Sequence, residues 1–176
     1  MTAEFSRIVD TPESMDAIGR ELAGYLRAGD LVVLSGPLGA GKTTLTRGIG
    51  TGLGVRGPIT SPTFVLARTH PSLTDGPALV HVDAYRLGSA LELDDLDLDF
   101  AGSVVVVEWG SGMLDGVAES WLEVVIQRPT GAGETDAAGN AALDALEVDV
   151  ELIEPRTIAI TGYGPRWAYP YNAPVN

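Results

Sequence analysis

The chain contains no cysteine, which removes disulfides, thiolate nucleophiles and sulfur-ligated metal centres from the possibilities. Positive charge is scarce: Lys and Arg number 11 against 24 Asp and Glu, for a formal net charge of −13. Contacts to nucleic acid phosphates or to an anionic membrane need Lys and Arg, so the chain is not expected to bind either by itself. Long apolar runs are missing as well, and no stretch approaches the ~20 residues of a membrane-spanning helix. The N-terminal stretch carries Glu4, Asp10 and Glu13 and no apolar signal core, so the cytoplasm is the expected location. These absences leave a chain of 176 residues, 45% hydrophobic and 20% charged, long enough for one domain with a substantial core.

Lysine occurs once, at Lys42, and every other basic side chain is arginine. That lysine closes Gly36-Pro37-Leu38-Gly39-Ala40-Gly41-Lys42-Thr43-Thr44, which follows the apolar run Leu31-Val32-Val33-Leu34 and leads into the helical start Leu45-Thr46-Arg47. Gly-x-x-x-x-Gly-Lys-Thr between a strand and a helix is the context in which this motif binds phosphate. Gly36, Gly39 and Gly41 let bare backbone N–H groups approach a polyphosphate. The helix that opens near Gly41 adds its N-terminal dipole. Lys42 would bridge the outer phosphates and the Thr43 hydroxyl would hold Mg²⁺. The alternative, a glycine-rich turn that only caps a helix, is disfavoured by the strand before it and the helix after it.

Around this loop the pattern alternates strands and helices. Residues 5–9 read as a strand. Thr11 followed by Pro12 starts a helix, as N-cap and first-turn proline, with Met15, Ile18 and Leu22 at helical spacing. Thr11 reads first as that cap, and second as a candidate near a nucleotide base, because its helix leads to the strand before the loop. Residues 44–53 form the phosphate-binding helix. Strands are expected at 64–69 and 78–83, separated by a loop with an Asp75-Gly76 turn signal. No crossover helix fits between these two, so they must pair as an antiparallel hairpin and the sheet must be mixed.

Residues 90–100 place leucines between acids; a short helix and loop with a solvated acidic face is preferred there to a metal site. Residues 103–110 read as a buried central strand and 112–119 as a short helix. Half-exposed strands are expected at 121–126 and 145–152, with a Gly/Ala-rich, mobile connection at 130–142. A last strand is read at 156–162. The domain is therefore drawn as 1–162, with an irregular tail at 163–176, where Arg166-Trp167 could stack on adenine or extend from the surface. His70, beside Pro71, is expected to be exposed. His81 reads as a core histidine, and Trp109 as a tryptophan packed beside a core strand or near a nucleotide or partner.

Binding alone needs only the loop; hydrolysis also needs groups that place Mg²⁺ and orient a water. In α/β sheets these sit at the carboxyl ends of strands. Asp83 follows Leu79-Val80-His81-Val82 and Glu108 follows Val104 to Val107, so both acids occupy strand ends. The bland reading of each is a carboxylate closing a turn. Ser61-Pro62-Thr63 is either a loop that closes over the outer phosphate through hydroxyl and backbone donors, or a proline-stiffened connector.

Taken in order, the glycine loop, Ser61-Pro62-Thr63-Phe64, His81-Val82-Asp83-Ala84-Tyr85-Arg86-Leu87 and Val107-Glu108-Trp109 resemble the bacterial TsaE (YjeE) family, the ATPase of tRNA threonylcarbamoyladenosine synthesis. The resemblance spans roughly residues 5–127, with Pro37 standing where the family usually has an acid and Ala84 where it often has a larger apolar residue. It implies an α/β P-loop NTPase-like three-layer sandwich, with a mixed, mainly parallel central sheet that includes the antiparallel hairpin, and ATP and Mg²⁺ as cofactors. On this basis Thr11, Gly36, Leu38, Gly39, Ala40, Gly41, Lys42, Thr43 and Thr44 are the nucleotide-binding candidates. Thr43 and Glu108 are the metal ligands, and Lys42, Asp83 and Thr63 the catalytic set. The resemblance also implies a TsaB–TsaD complex as partner, with tRNA reached only through it.

The main alternative is a small-molecule P-loop kinase, which would need an arginine-bearing lid; Arg128, Arg156 and Arg166 are scattered in sequence. A GTPase is disfavoured, because the asparagines are only Asn140, Asn172 and Asn176 and no Asn-Lys-x-Asp element exists. A nucleotide-sensing adaptor that binds ATP and barely turns it over is the non-enzymatic reading.

Overall fold

The computed structural model describes residues 3–62, 65–112, 117–129 and 154–168. The elements run β1 (Ala3–Val9), α1 (Pro12–Ala23), β2 (Leu31–Ser35), α2 (Lys42–Leu53), β3 (Ala67–His70), β4 (Ala78–Asp83), α3 (Ala90–Asp94), β5 (Ser103–Glu108), β6 (Trp121–Gln127) and β7 (Arg156–Tyr163), with short 3₁₀ turns at Ala84–Arg86 and Pro165–Trp167. Seven strands form one sheet in the order β1-β7-β6-β2-β5-β4-β3. Strands whose residues are apolar on both faces take the centre: Leu31 to Leu34 and Val104 to Val107 are all buried, as parallel strands covered on both sides require. β6 instead alternates, burying Leu122, Val124 and Ile126 on one face.

The sheet is mixed, and the β3–β4 hairpin pairs Ala67 with Val82 as the short connection demanded. Parallel pairing is confined to β6-β2-β5-β4. β7 and β1 add antiparallel strands at the other edge, so antiparallel pairing extends well beyond the expected hairpin. The strand expected at 64–69 begins only at Ala67, because Val65 and Leu66 turn back onto the Pro62 carbonyl. Helices α1 and α2 cover one face, where Met15, Leu22, Leu45 and Ile49 meet Val32, Leu34, Val106 and Ile126. On the other face Leu93, with Leu96, Leu98 and Phe100, covers Leu31, Val33, Val80, Val105 and Val107. The acids Glu92, Asp95, Asp97 and Asp99 are exposed, which is the solvated face expected of that segment. No helix among the described residues is long and apolar enough to cross a membrane.

α1 and α2 touch backbone to backbone. A Cβ on Gly48 would collide with the Asp16 carbonyl oxygen, and one on Gly19 with the Leu45 carbonyl. This contact sets the height of α2 on the sheet, and Met15 of α1 lies directly against Gly41 at the helix start. On an open helix surface Gly→Ala gains about 1 kcal/mol of helix propensity. At position 48 the sign reverses: Gly48→Ala is expected to cost about 2–3 kcal/mol through overpacking, lowering the thermal midpoint by roughly 4–12 °C. A scanning calorimetry trace with an unchanged or raised midpoint would refute that packing.

Two expectations are corrected. His70 is buried, and its Nδ1 meets the Arg56 carbonyl at 3.0 Å. The folded unit also does not end at residue 162. Tyr163 closes β7 and stacks on Trp121 with ring centroids 4.9 Å apart. Trp167 is buried against Gly162 and Leu122, and Arg166 reaches Asp30 at 3.2 Å and the Tyr25 carbonyl at 2.8 Å. Asp30 precedes β2 whereas the glycine loop follows it, so Arg166 and Trp167 stand at the end of the sheet away from that loop and do not stack on a base there. The strand expected at 145–152, the connection at 130–142 and the centre of the helix expected at 112–119 lie outside the described residues.

Candidate active site

Strand direction brings the sequence-predicted groups together. β2, β4 and β5 are parallel, so the glycine loop, Asp83 and Glu108 all stand at one end of the sheet. Asp83 and Glu108 are register partners on adjacent strands. Alternation puts both on the face that α2 covers, since Leu79 of β4 and Val104 and Val106 of β5 belong to that core while Val80, Val82, Val105 and Val107 face away.

The loop itself is shaped by close approach. A side chain on Gly36 would meet the Ile126 carbonyl at 2.6 Å. Gly41, the N-cap of α2, has φ +108°, in the left-handed region where L side chains are strained. The Leu45 N–H donates to the Gly41 carbonyl at 2.9 Å; the N–H groups of Lys42, Thr43 and Thr44 precede that bond and are the helix's free donors. Leu38 and Gly39 form the exposed tip, whereas Ala40 is fully buried and donates its N–H to the Pro37 carbonyl at 3.1 Å. Ser35 Oγ, at the loop's entry, is buried with no partner among the described residues.

Lys42 is only 5% exposed. Its Nζ donates to the carbonyls of Gly36 at 2.9 Å and Pro37 at 3.0 Å. The same nitrogen lies 3.9 Å from the centre of the Trp109 ring, a cation–π contact. Burial lowers the Lys42 pKa from its usual value, and the charges of Glu108 and Asp83 oppose that shift. Thr43 Oγ1 donates to Glu108 Oε1 at 3.3 Å, so the hydroxyl and carboxylate expected to share a metal already face one another. His81 Nε2 is 2.7 Å from the same carboxylate oxygen. His81 is the core histidine the sequence suggests, and its partner is the site acid. Asp83 Oδ1 accepts the Tyr85 N–H at 3.0 Å, which fixes that carboxylate at the strand end.

Thr11 caps α1, its hydroxyl accepting the Ser14 N–H at 3.1 Å, and lies at the same end of the sheet because β1 runs parallel to β2 through β7 and β6. Thr63 lies outside the described residues. Two contacts at the site had little signal in the sequence. Trp109 has φ +63°, which turns its ring onto Lys42, and Tyr85 meets that ring edge-on at 5.6 Å. Arg156 donates from Nη1 to the Ala40 carbonyl at 3.1 Å across 116 residues of chain. Of the arginines considered for a kinase lid, Arg128 pairs with Glu154 and Arg166 with Asp30, and Arg156 holds loop backbone, so these three form no lid.

A phosphate-binding loop between a buried strand and a helix, with carboxylates at the ends of two neighbouring parallel strands, defines a P-loop nucleoside triphosphatase. The comparisons agree. Residues 9–135 match the family model described as threonylcarbamoyl adenosine biosynthesis protein TsaE. The tRNA threonylcarbamoyladenosine biosynthesis protein TsaE of Streptomyces coelicolor is 55% identical over 157 residues, covering 88% of this chain and 94% of that one. Its counterpart in Mycobacterium bovis is 52% identical over 136 residues, covering 72% and 79%. The crystal structure of Bacillus subtilis YdiB superposes with a TM-score of 0.65 at 29% identity, over 95% of this chain and 90% of that one. The chain belongs to the TsaE family of P-loop ATPases.

Proposed function

We propose that this chain binds Mg·ATP on its glycine loop and hydrolyses it, and that this turnover supports formation of threonylcarbamoyladenosine beside the anticodon of tRNA in the cytoplasm. The observation that carries the reading is the convergence of Lys42, Thr43, Asp83 and Glu108 at one end of three parallel strands. Lys42 and the backbone N–H groups of Gly36, Leu38, Gly39, Gly41, Lys42, Thr43 and Thr44 receive the phosphates, and Thr11 stands nearest the base. Asp83 orients the attacking water.

Thr43 and Glu108 fit a Mg²⁺ ion in donor type, a hydroxyl and a carboxylate held 3.3 Å apart, both hard oxygen donors. An ion held there would take its remaining ligands from phosphate and water. When bound, Mg²⁺ would neutralise charge on the outer phosphates. The net charge of −13 favours a division of labour in which a TsaB–TsaD complex holds the tRNA and this chain supplies ATP turnover.

Depletion of the protein in its native host, followed by nucleoside analysis of tRNA, is the direct test. Threonylcarbamoyladenosine is expected to fall. An unchanged level would contradict the pathway assignment even if ATP binding held.

A further inference from the structure

We propose that Arg156 is a positioning residue that sets the phosphate-binding conformation of the glycine loop from behind, an inference that rests on the ATP-binding reading above. In a trans peptide the carbonyl and the following N–H point in opposite directions. By holding the Ala40 carbonyl at 3.1 Å, the Arg156 guanidinium therefore fixes the Gly41 N–H on the other side of that peptide plane. Gly41 has φ +108° and begins the turn into α2. A glycine there is free to swing unless something outside the loop restrains it.

The restraint has a rigid base. Arg156 opens β7, is register partner to Val9 of β1, and is followed by Thr157 opposite Gln127 of β6. Its Nη1 would stand 3.2 Å from a Cβ built on Gly41, so the guanidinium lies directly against the helix start. Nε is buried with no partner among the described residues. A cation beside a helix N-terminus is electrostatically unfavourable in the chain alone and becomes favourable when a polyphosphate arrives. Arg156 also lies beyond residues 9–135, the span that matches the family model.

The test compares Arg156→Met, Arg156→Lys and Arg156→Gln in the full chain. ATP and ADP affinities are read by equilibrium titration, KM and kcat by steady-state hydrolysis, and folding by circular dichroism. Arg156→Met is expected to weaken both nucleotides about tenfold and to raise KM with kcat largely kept, the signature of lost uniform binding. Lysine and glutamine each retain an N–H donor for the Ala40 carbonyl and are expected to recover part of the loss. Wild-type affinity in Arg156→Met, or equal losses in all three variants, would overturn the assignment. If Arg156→Met does not fold, Arg156→Lys and Arg156→Gln decide it, with Arg156→Lys expected within about threefold of the parent and a tenfold loss in both contradicting the proposal. Failure of the unaltered chain to bind ATP would instead remove the underlying functional reading.

Discussion

A Lys42→Ala chain is expected to lose at least about 100-fold in ATP affinity and to show no measurable hydrolysis. The ammonium is the only lysine in the sequence, so no neighbouring lysine replaces it. A charge-assisted hydrogen bond is worth about 1.5–3 kcal/mol, and loss of roughly 3 kcal/mol corresponds to a little over two decades in affinity. The loss is chemical and not a collapse of the fold, which the pKa direction makes checkable. Burial lowers the folded pKa of Lys42 below its unfolded value. Between those two values the folded state holds fewer protons, so stability rises with pH through that window, and below it the charged lysine is a net cost. A Lys42→Met chain, which keeps the stem and removes the charge, is therefore expected to lose that pH dependence of stability, read by denaturant titration across the alkaline range. Normal hydrolysis by either variant would sink the site assignment.

Glu108→Gln is expected to separate binding from turnover. The substitution keeps the volume and leaves a carbonyl oxygen that can still accept from Thr43, but it removes the charge that faces the hydroxyl. Mg²⁺-dependent hydrolysis should fall by about 10²–10³-fold, as for other single electrostatic groups in active sites, while affinity for metal-free ATP is retained or improved. Alanine is the poorer probe, because it also strands the buried His81 Nε2, now 2.7 Å from the carboxylate, at a further cost of about 1–3 kcal/mol in stability. The readout is the Mg²⁺ dependence of kcat set beside nucleotide affinity in chelator. Full activity at ordinary Mg²⁺ concentrations would remove Glu108 from the metal site.

The parts of this architecture written in contiguous residues were legible. Leu31 to Leu34 and Val104 to Val107 are apolar on both faces and could only be central strands, and the short stretch between β3 and β4 forced a hairpin. Asp83 and Glu108 were recognisable as strand-end acids because each closes a largely apolar run. Strand order was not legible, since β6 and β7 reach β2 across a long separation and either edge was open to them. Everything that depends on that order was hidden with it. Arg156 meets Ala40 only because β7 runs antiparallel beside β6, and Arg166 meets Asp30 for the same reason. His81 shows how a correct local reading stays incomplete: its apolar neighbours identify a buried ring, but only register reveals Glu108 as its partner. Trp109 carried a signal in its place directly after the site acid, yet its contact with Lys42 depends on a left-handed backbone turn that an aromatic residue does not announce.

The backbone contact between α1 and α2 bears on when the nucleotide site comes into being. α2 carries Gly48, Gly50 and Gly52 within twelve residues, and three helix glycines cost roughly 3 kcal/mol relative to alanine. Such a segment has little helix of its own in an unfolded chain, so its N–H groups are not gathered until α1 has closed onto it. Phosphate recognition is thus a property of the assembled domain and not of the loop peptide. Ligand at 100 times its dissociation constant returns about 2.7 kcal/mol to the folded state, nearly the amount those glycines withhold. Bound nucleotide is therefore expected to stabilise the folded chain as well as to serve as its substrate.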